Sequence, residues 1–208
     1  MTDSTNSKLH TVIADRLDQI ILVGLFIYFC FRISPHGFPP ENSYITLLLV
    51  SESIVIFFTL IRRSADKISI NPKDWIIAVS GSSAALLVEG DSKTYLPEVG
   101  GILMLIGLTI HTSAKLYLRR SFGIVPADRG IKSTGLYSVV RHPMYFGYMI
   151  THLGFLISIP SVWNLAVYSI GWLLLGYRMI LEERLLIQNP EYQDYTTKVR
   201  YRLIPRLF

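Results

Sequence analysis

The 208-residue chain reads as an all-α integral membrane protein of about six transmembrane helices, the last two forming a tight helical hairpin. Three observations predict this. Half of the residues are apolar, with a mean hydropathy of +0.39. Apolar runs near the ~20 residues that cross a bilayer recur at 17–33, 44–61, 74–90, 98–118, 143–159 and 162–181. The basic residues also alternate: segments 1–16, 62–73, 115–142 and 178–208 hold 18 of the 20 Lys and Arg, while 32–43 and 90–97 hold only Arg32 and Lys93. That is the positive-inside pattern. It puts both termini in the cytoplasm and favours an even number of crossings, with five spans plus a shallow hairpin as the competing count. The net charge of +5 is then mainly a topology signal with some attraction to anionic lipid heads, and no nucleic-acid partner is implied.

The elements follow in order. Helix one follows a polar start and carries Asp15, Arg16 and Asp18 at its cytoplasmic end. It ends before Ser34-Pro35-His36-Gly37-Phe38-Pro39-Pro40, a stretch that cannot continue a helix. Helix two stops at Arg62-Arg63. Asn71-Pro72 opens helix three, with Trp75 placed for the interface, and Gly81 to Ala85 are small enough for a neighbour to approach closely. Pro97 opens helix four. Residues 116–141 form a long connection with Gly123, Pro126, Gly130 and Gly135, and in a chain this small such a loop is more often functional than idle. The runs 143–159 and 162–181 are joined only by Pro160-Ser161. The tail from Leu185 is rich in Tyr and Arg, which suits either an interfacial amphipathic segment or the wall of a polar pocket. Residues 1–208 make one membrane-embedded domain, 1–115 being the N-terminal helices and 116–208 the loop, hairpin and tail. Met1–His10 has no signal-peptide pattern.

Several chemistries are excluded. Cys30 is the only cysteine, so no intramolecular disulfide or multi-cysteine metal site exists. His10, His36, His111, His142 and His152 show no metal-ligand spacing, and no metal is expected. There is no GxSxG elbow, no phosphate-binding loop, and no strand pattern to carry a dinucleotide fingerprint. What remains is geometric. A ~20-residue helix rises about 30 Å, so two joined by a tight turn bring the chain back to its starting face. Arg141-His142-Pro143-Met144-Tyr145 and Glu182-Glu183, forty residues apart, should therefore meet at one level. Arg178 lies one turn before Glu182 on the same helix face. His142, Tyr145, Met149 and His152 share a face of the outgoing helix. An Arg, a His, tyrosines and carboxylates together suit a zwitterionic ligand with hydroxyl groups. Taken singly, Arg141 and Arg178 also fit as topology anchors, Tyr145 and Tyr148 as belt aromatics, and Glu182-Glu183 as partners of Arg178 or Arg184.

The motif Gly135-Leu136-Tyr137…Arg141-His142-Pro143-Met144-Tyr145, then Glu182-Glu183, then Pro190-Glu191-Tyr192…Tyr195 resembles the isoprenylcysteine carboxyl methyltransferase family. The related phospholipid N-methyltransferases share this carboxy-terminal pattern. The likeness covers about 119–208, and helices one to three carry no matching signature. It implies an intramembrane methyltransferase using S-adenosylmethionine without a soluble Rossmann-like fold. By carry-over, Gly135, Tyr137, Arg141, His142, Pro143, Tyr145, Glu182 and Glu183 would contact the cofactor, and Arg178 would hold the acceptor. That acceptor would be lipid-like or prenylated, most simply a carboxylate such as a C-terminal prenylcysteine, methylated at the cytoplasmic membrane face.

Two features depart from the pattern. Eukaryotic members have more spans than six. Tyr201-Arg202-Leu203-Ile204-Pro205 also resembles the end of membrane sterol reductases, which use NADPH. An NADPH-dependent reductase is thus the rival enzyme, and a non-catalytic membrane lipid-binding protein the non-enzyme alternative. The Glu182-Glu183 pair favours the methyltransferase, since carboxylates suit ribose hydroxyls and repel the extra phosphate of NADPH. Glu52 and His111 sit mid-span, where ionisable groups are functional candidates by default. A hydrogen-bonded or paired structural role fits Glu52 equally, and both residues stay outside the expected site.

Overall fold

The computed structural model describes every residue except Met1, Pro35, His36, Pro39, Glu41, Asp66, Asp91 and Ser92. Within the first helix only the backbone is described for residues 2–11, 14 and 15. The expectations placed on Asp15, Pro35, His36, Pro39 and the side chain of His10 therefore lie outside the described residues.

The described residues form seven α-helices: α1 (Thr2–Ile33), α2 (Ser43–Ile61), α3 (Pro72–Ser83), α4 (Pro97–Leu118), α5 (Pro143–Ser158), α6 (Val162–Leu186) and α7 (Pro190–Lys198). The all-helical expectation stands, apart from one two-residue antiparallel ladder. It joins β1 (Lys67–Ile68) to β2 (Ala127–Asp128), pairing Lys67 with Asp128 and Ile68 with Ala127. Asn71 and Asn189 cap α3 and α7 by accepting from the backbone N–H two residues on, each with Pro at the first helical position.

Among the described residues, three helices are long and apolar enough to cross a membrane: α2, α4 with the turn that follows it, and α6. The other runs differ from expectation in informative ways. The helix α1 continues back through the polar start to Thr2, giving 32 residues. In place of a helix over 74–90, α3 has 12 residues and passes into a short 3-10 turn at Ala84–Leu87. The Ser82 and Ser83 hydroxyls donate back to the Ala78 and Val79 carbonyls at 2.7 Å, a pattern that bends helices. With 16 residues, α5 rises about 24 Å, short of the ~30 Å hydrocarbon core.

The hairpin turn at Ile159–Ser161 is tight, with Ser161 Oγ accepting from the Asn164 backbone at 2.9 Å. Yet α5 packs chiefly on α4, and α6 chiefly on α3. Glycines decide the first pairing. On α4, Gly100 and Gly107 face Gly154 and Gly147 of α5, two turns apart on each helix. A Cβ on Gly147 would stand 2.6 Å from the His111 backbone nitrogen, and one on Gly154 2.6 Å from the Gly100 carbonyl. No side chain fits in that seam, so the two backbones touch. The small residues of α3 act as expected: a Cβ on Gly81 would lie 3.2 Å from the α6 backbone at Leu174. Between α5 and α6 lie large rings instead. His152 stacks on Tyr168 with centroids 4.6 Å apart, and Tyr168 on Trp172 at 6.1 Å.

Among the described residues, four cations of the topology count are interior: Arg62, Lys115, Arg129 and Arg178 are all buried. Arg62 donates to Asp18 at 2.6 Å in a fully enclosed pair that ties α2 to α1.

Candidate active site

The turn at Gly135–Ser138 opens the motif. Gly135 has φ +62, and a Cβ there would collide with the ring of Tyr117, so both backbone and space require glycine. Tyr137 is buried, and its carbonyl accepts the Tyr195 hydroxyl of α7 at 2.7 Å. His142 precedes α5, and Pro143 starts it.

The returning helix brings the two halves together as the hairpin geometry predicts. Glu183 Oε1 lies 3.1 Å from His142 Nε2 and 3.0 Å from Arg141 Nη1, and its Oε2 accepts from Arg202 Nε at 2.8 Å. The Tyr145 hydroxyl donates to Glu182 Oε2 at 2.7 Å. The tail completes the joint. The Arg141 and His142 backbone nitrogens donate to the Tyr201 and Arg202 carbonyls at 2.9 and 2.7 Å, and Arg141 Nη2 reaches the Arg200 carbonyl. Glu183 is therefore consumed in bolting the tail to the motif.

A cleft open at its mouth lies over this joint. Of the residues expected in the site, Tyr137, Arg141, His142 and Glu182 line it. Gly135, Pro143, Tyr145 and Glu183 do not; they shape or hold those that do. The tail takes the role of pocket wall, since Tyr192 and Tyr195 face the cleft. Burial first, then the Glu183 and Glu182 carboxylates, pushes the Tyr192 phenol up. Burial likewise raises Tyr137 and Tyr195. All three stay protonated donors at neutral pH, and the Tyr192 hydroxyl has no partner among the described residues.

Sequence reasoning missed Arg129 and Lys132, which also line the cleft beside Gly123. They sit in the 116–141 loop that was expected to be functional, but nothing in their local pattern singled them out. They change one expectation. Arg129, Lys132 and Arg141 outnumber Glu182 as charged lining groups, and Glu183 is neutralised by its partners. Repulsion of an extra phosphate therefore does not separate NADPH from S-adenosylmethionine here.

Arg178 lies elsewhere. It is 2% exposed, donates to Ser82 Oγ at 2.6 Å and to the Gly123 carbonyl at 2.8 Å, and stacks on Tyr145 at 5.2 Å. A topology anchor would reach for the interface; Arg178 points inward. It lines a second, inner cavity, small and narrow, with Glu52, Gly81, Phe122, Tyr148, His152 and others. Phe122 lines both spaces, and Gly123, whose carbonyl Arg178 holds, lines the cleft. Cleft and cavity thus share a wall. Tyr148, not Met149, joins His142, Tyr145 and His152 in the ladder of rings along α5. Below it, His111 bridges Ser51 Oγ at 2.9 Å and Lys115 Nζ at 2.7 Å.

The fold and site together define an all-helical membrane protein with a divided polar cleft at one end of its bundle. The phospholipid methyltransferase family model matches residues 97–191, which takes in α4, the loop, the hairpin and the start of α7. In structure, the chain is similar to a eukaryotic intramembrane Ras methyltransferase, isoprenylcysteine carboxyl methyltransferase. The TM-score is 0.54 at 20% identity, covering 79% of this chain and 66% of that one. At that identity the likeness carries the fold. No curated protein matches the chain by sequence. The family model covers most of the segment that carries the motif resemblance, and the structural likeness agrees with it in fold.

Proposed function

We propose that the chain is an S-adenosylmethionine-dependent methyltransferase, a single membrane-embedded domain acting on a lipophilic acceptor at the cytoplasmic face. The observation that carries this is the meeting of Glu182, held by Tyr145, with Tyr137, Arg141 and the tail tyrosines in one cleft, built mostly from the segment that matches the methyltransferase family. The donor set fits the cofactor. Glu182 has one oxygen held by Tyr145, leaving the other for a ribose hydroxyl or the ammonium group. Arg129, Lys132 and Arg141 suit its carboxylate, and the Tyr192 hydroxyl is an uncommitted donor. The bound cofactor would supply an electrophilic methyl group to an in-line displacement.

The residues around it would orient and exclude water. Tyr145 fixes the Glu182 carboxylate. Glu183 fixes Arg141, His142 and the tail, so that the cleft keeps one shape. Such preorganisation is what a displacement needs from a protein. Arg178, one turn deeper, would face the acceptor across the shared wall. The resemblance suggests a prenylcysteine carboxylate there, which is already ionised and needs no general base.

Calorimetry of the purified protein in detergent tests the reading, with S-adenosylhomocysteine and NADPH titrated separately. Binding of the first and not the second is expected. Failure of S-adenosylhomocysteine to bind removes the methyltransferase, and tight NADPH binding installs the reductase.

A further inference from the structure

Two basic side chains of the loop after α4 are left without partners among the described residues, and they face one space. Between Leu116 and Arg141 the chain has five cations: Arg119, Arg120, Arg129, Lys132 and Arg141. Arg120 donates to the Ile61 carbonyl, Arg129 to the Arg63 carbonyl, and Arg141 to Glu183 and the tail. Arg119 and Lys132 make no hydrogen bond or ion pair with any described residue. Both line an open groove of about 550 Å³ beside the end of α4, with Ser113, Leu116, Tyr117 and Thr134. That lining holds two cations, two hydroxyls and no carboxylate, a donor set that suits a phosphate group.

The groove also has an apolar approach. Ser113, Leu116 and Tyr117 fall on one face of α4, and Leu116 is 59% and Tyr117 44% exposed. They belong to the last turns of the candidate span Pro97–Ser121, so an apolar strip runs along the span towards the two cations. Arg119 is held there against its backbone. It ends α4 with φ +52, a conformation that glycine adopts freely and that helix ends ordinarily fill with glycine. The arginine therefore serves position 119 by its side chain and not by its backbone. Lys132 also lines the cleft, and the Tyr117 ring lies against Gly135, whose turn opens the motif. The groove thus backs onto the outer wall of the cleft.

We propose that this groove binds the phosphate head group of an acidic phospholipid, with Arg119 and Lys132 as its cationic contacts, Ser113 and Thr134 as hydroxyl donors, and an acyl chain along Leu116 and Tyr117. The lipid is a neighbour of the cleft and not its methyl acceptor. Phosphatidylglycerol, which has neither an amine nor a carboxylate, meets the whole donor set, whereas the ammonium of a zwitterionic head group is repelled by the same two cations.

The test uses the full chain in phosphatidylcholine nanodiscs with a trace of photoactivatable phosphatidylglycerol and no methyl donor. Crosslinked residues are read by peptide mass spectrometry, with unlabelled lipids as competitors. Crosslinks should fall on the segments around Ser113–Arg119 and Lys132–Thr134. Unlabelled phosphatidylglycerol should compete at least about ten-fold better than phosphatidylcholine, since each cation at a lipid surface is worth about five-fold. Arg119→Gln should weaken the interaction by about five-fold, while Arg184→Gln, which removes an exposed cation outside the groove, should leave these crosslinks unchanged. Arg119→Gly should weaken them as much without lowering the thermal midpoint, because it suits the backbone and removes only the cation; it also serves should Arg119→Gln fail to fold. Equal losses from Arg119→Gln and Arg184→Gln would show only the diffuse attraction of a basic surface and overturn the site. So would crosslinks spread over other helices, equal competition by the two lipids, or displacement by excess inorganic phosphate, which would make the groove a site for free anions.

Discussion

Glu182 and Glu183 are adjacent in sequence and diverge in role because a helix turns them about 100° apart. Glu182 faces the cleft with one oxygen bonded to Tyr145, and Glu183 faces Arg141, His142 and Arg202. Their substitutions should separate accordingly. Glu182→Gln should weaken S-adenosylhomocysteine binding by roughly 1–3 kcal/mol, the worth of a hydrogen bond to a charged group, with little change in the thermal midpoint; calorimetry and thermal unfolding read the two. Glu183→Ala should do the reverse first. It leaves Arg141, His142 and Arg202 without their common anion, and stability should fall by on the order of 2–3 kcal/mol, read as a lower midpoint in detergent. Equal effects of both substitutions would place them in one role. The pair itself was legible in the sequence; the division was not, since it depends on where the tail returns.

At the level of elements, the α4–α5 seam is the most demanding contact. Gly100, Gly107, Gly147 and Gly154 let the backbones meet, and this is how helices associate where no hydrophobic driving force exists between them. Gly107→Leu should cost about 1–3 kcal/mol or more, as overpacking does in a tight interior, and should lower the thermal midpoint without touching any group in the cleft. An unchanged midpoint would show that the helices part easily. The seven-residue spacing of glycines was visible in the sequence and is the signal that could have found this pairing. Sequence adjacency pointed instead to α5 and α6, which are joined by a tight turn but held apart by His152, Tyr168 and Trp172.

For the whole molecule, the tail is what turns an end of the helical bundle into a pocket. Arg141 and His142 hold it by backbone, and Tyr195 holds it at Tyr137. Deleting residues 199–208 removes Arg202 and the Tyr201 carbonyl together. Membrane insertion should persist, because α2, α4 and α6 are unaffected, while S-adenosylhomocysteine binding is lost. Carbonate extraction of membranes checks the first and calorimetry the second; retained binding would make the tail a bystander.

Helix content, membrane embedding and the meeting of the two motif halves were determined by the sequence alone. Hydropathy runs, Pro and Asn at helix starts, and a turn of three residues are local signals, and local signals survive in any fold. Which Arg faces water was beyond them. Arg141 and Arg178 look alike as letters beside apolar runs, yet one lines a cleft and the other an inner cavity. The same holds for Glu52, which α2 sets beside the inner cavity across from α5 and α6. Burial and bonding partners come from distant parts of the chain, so tertiary structure decided them.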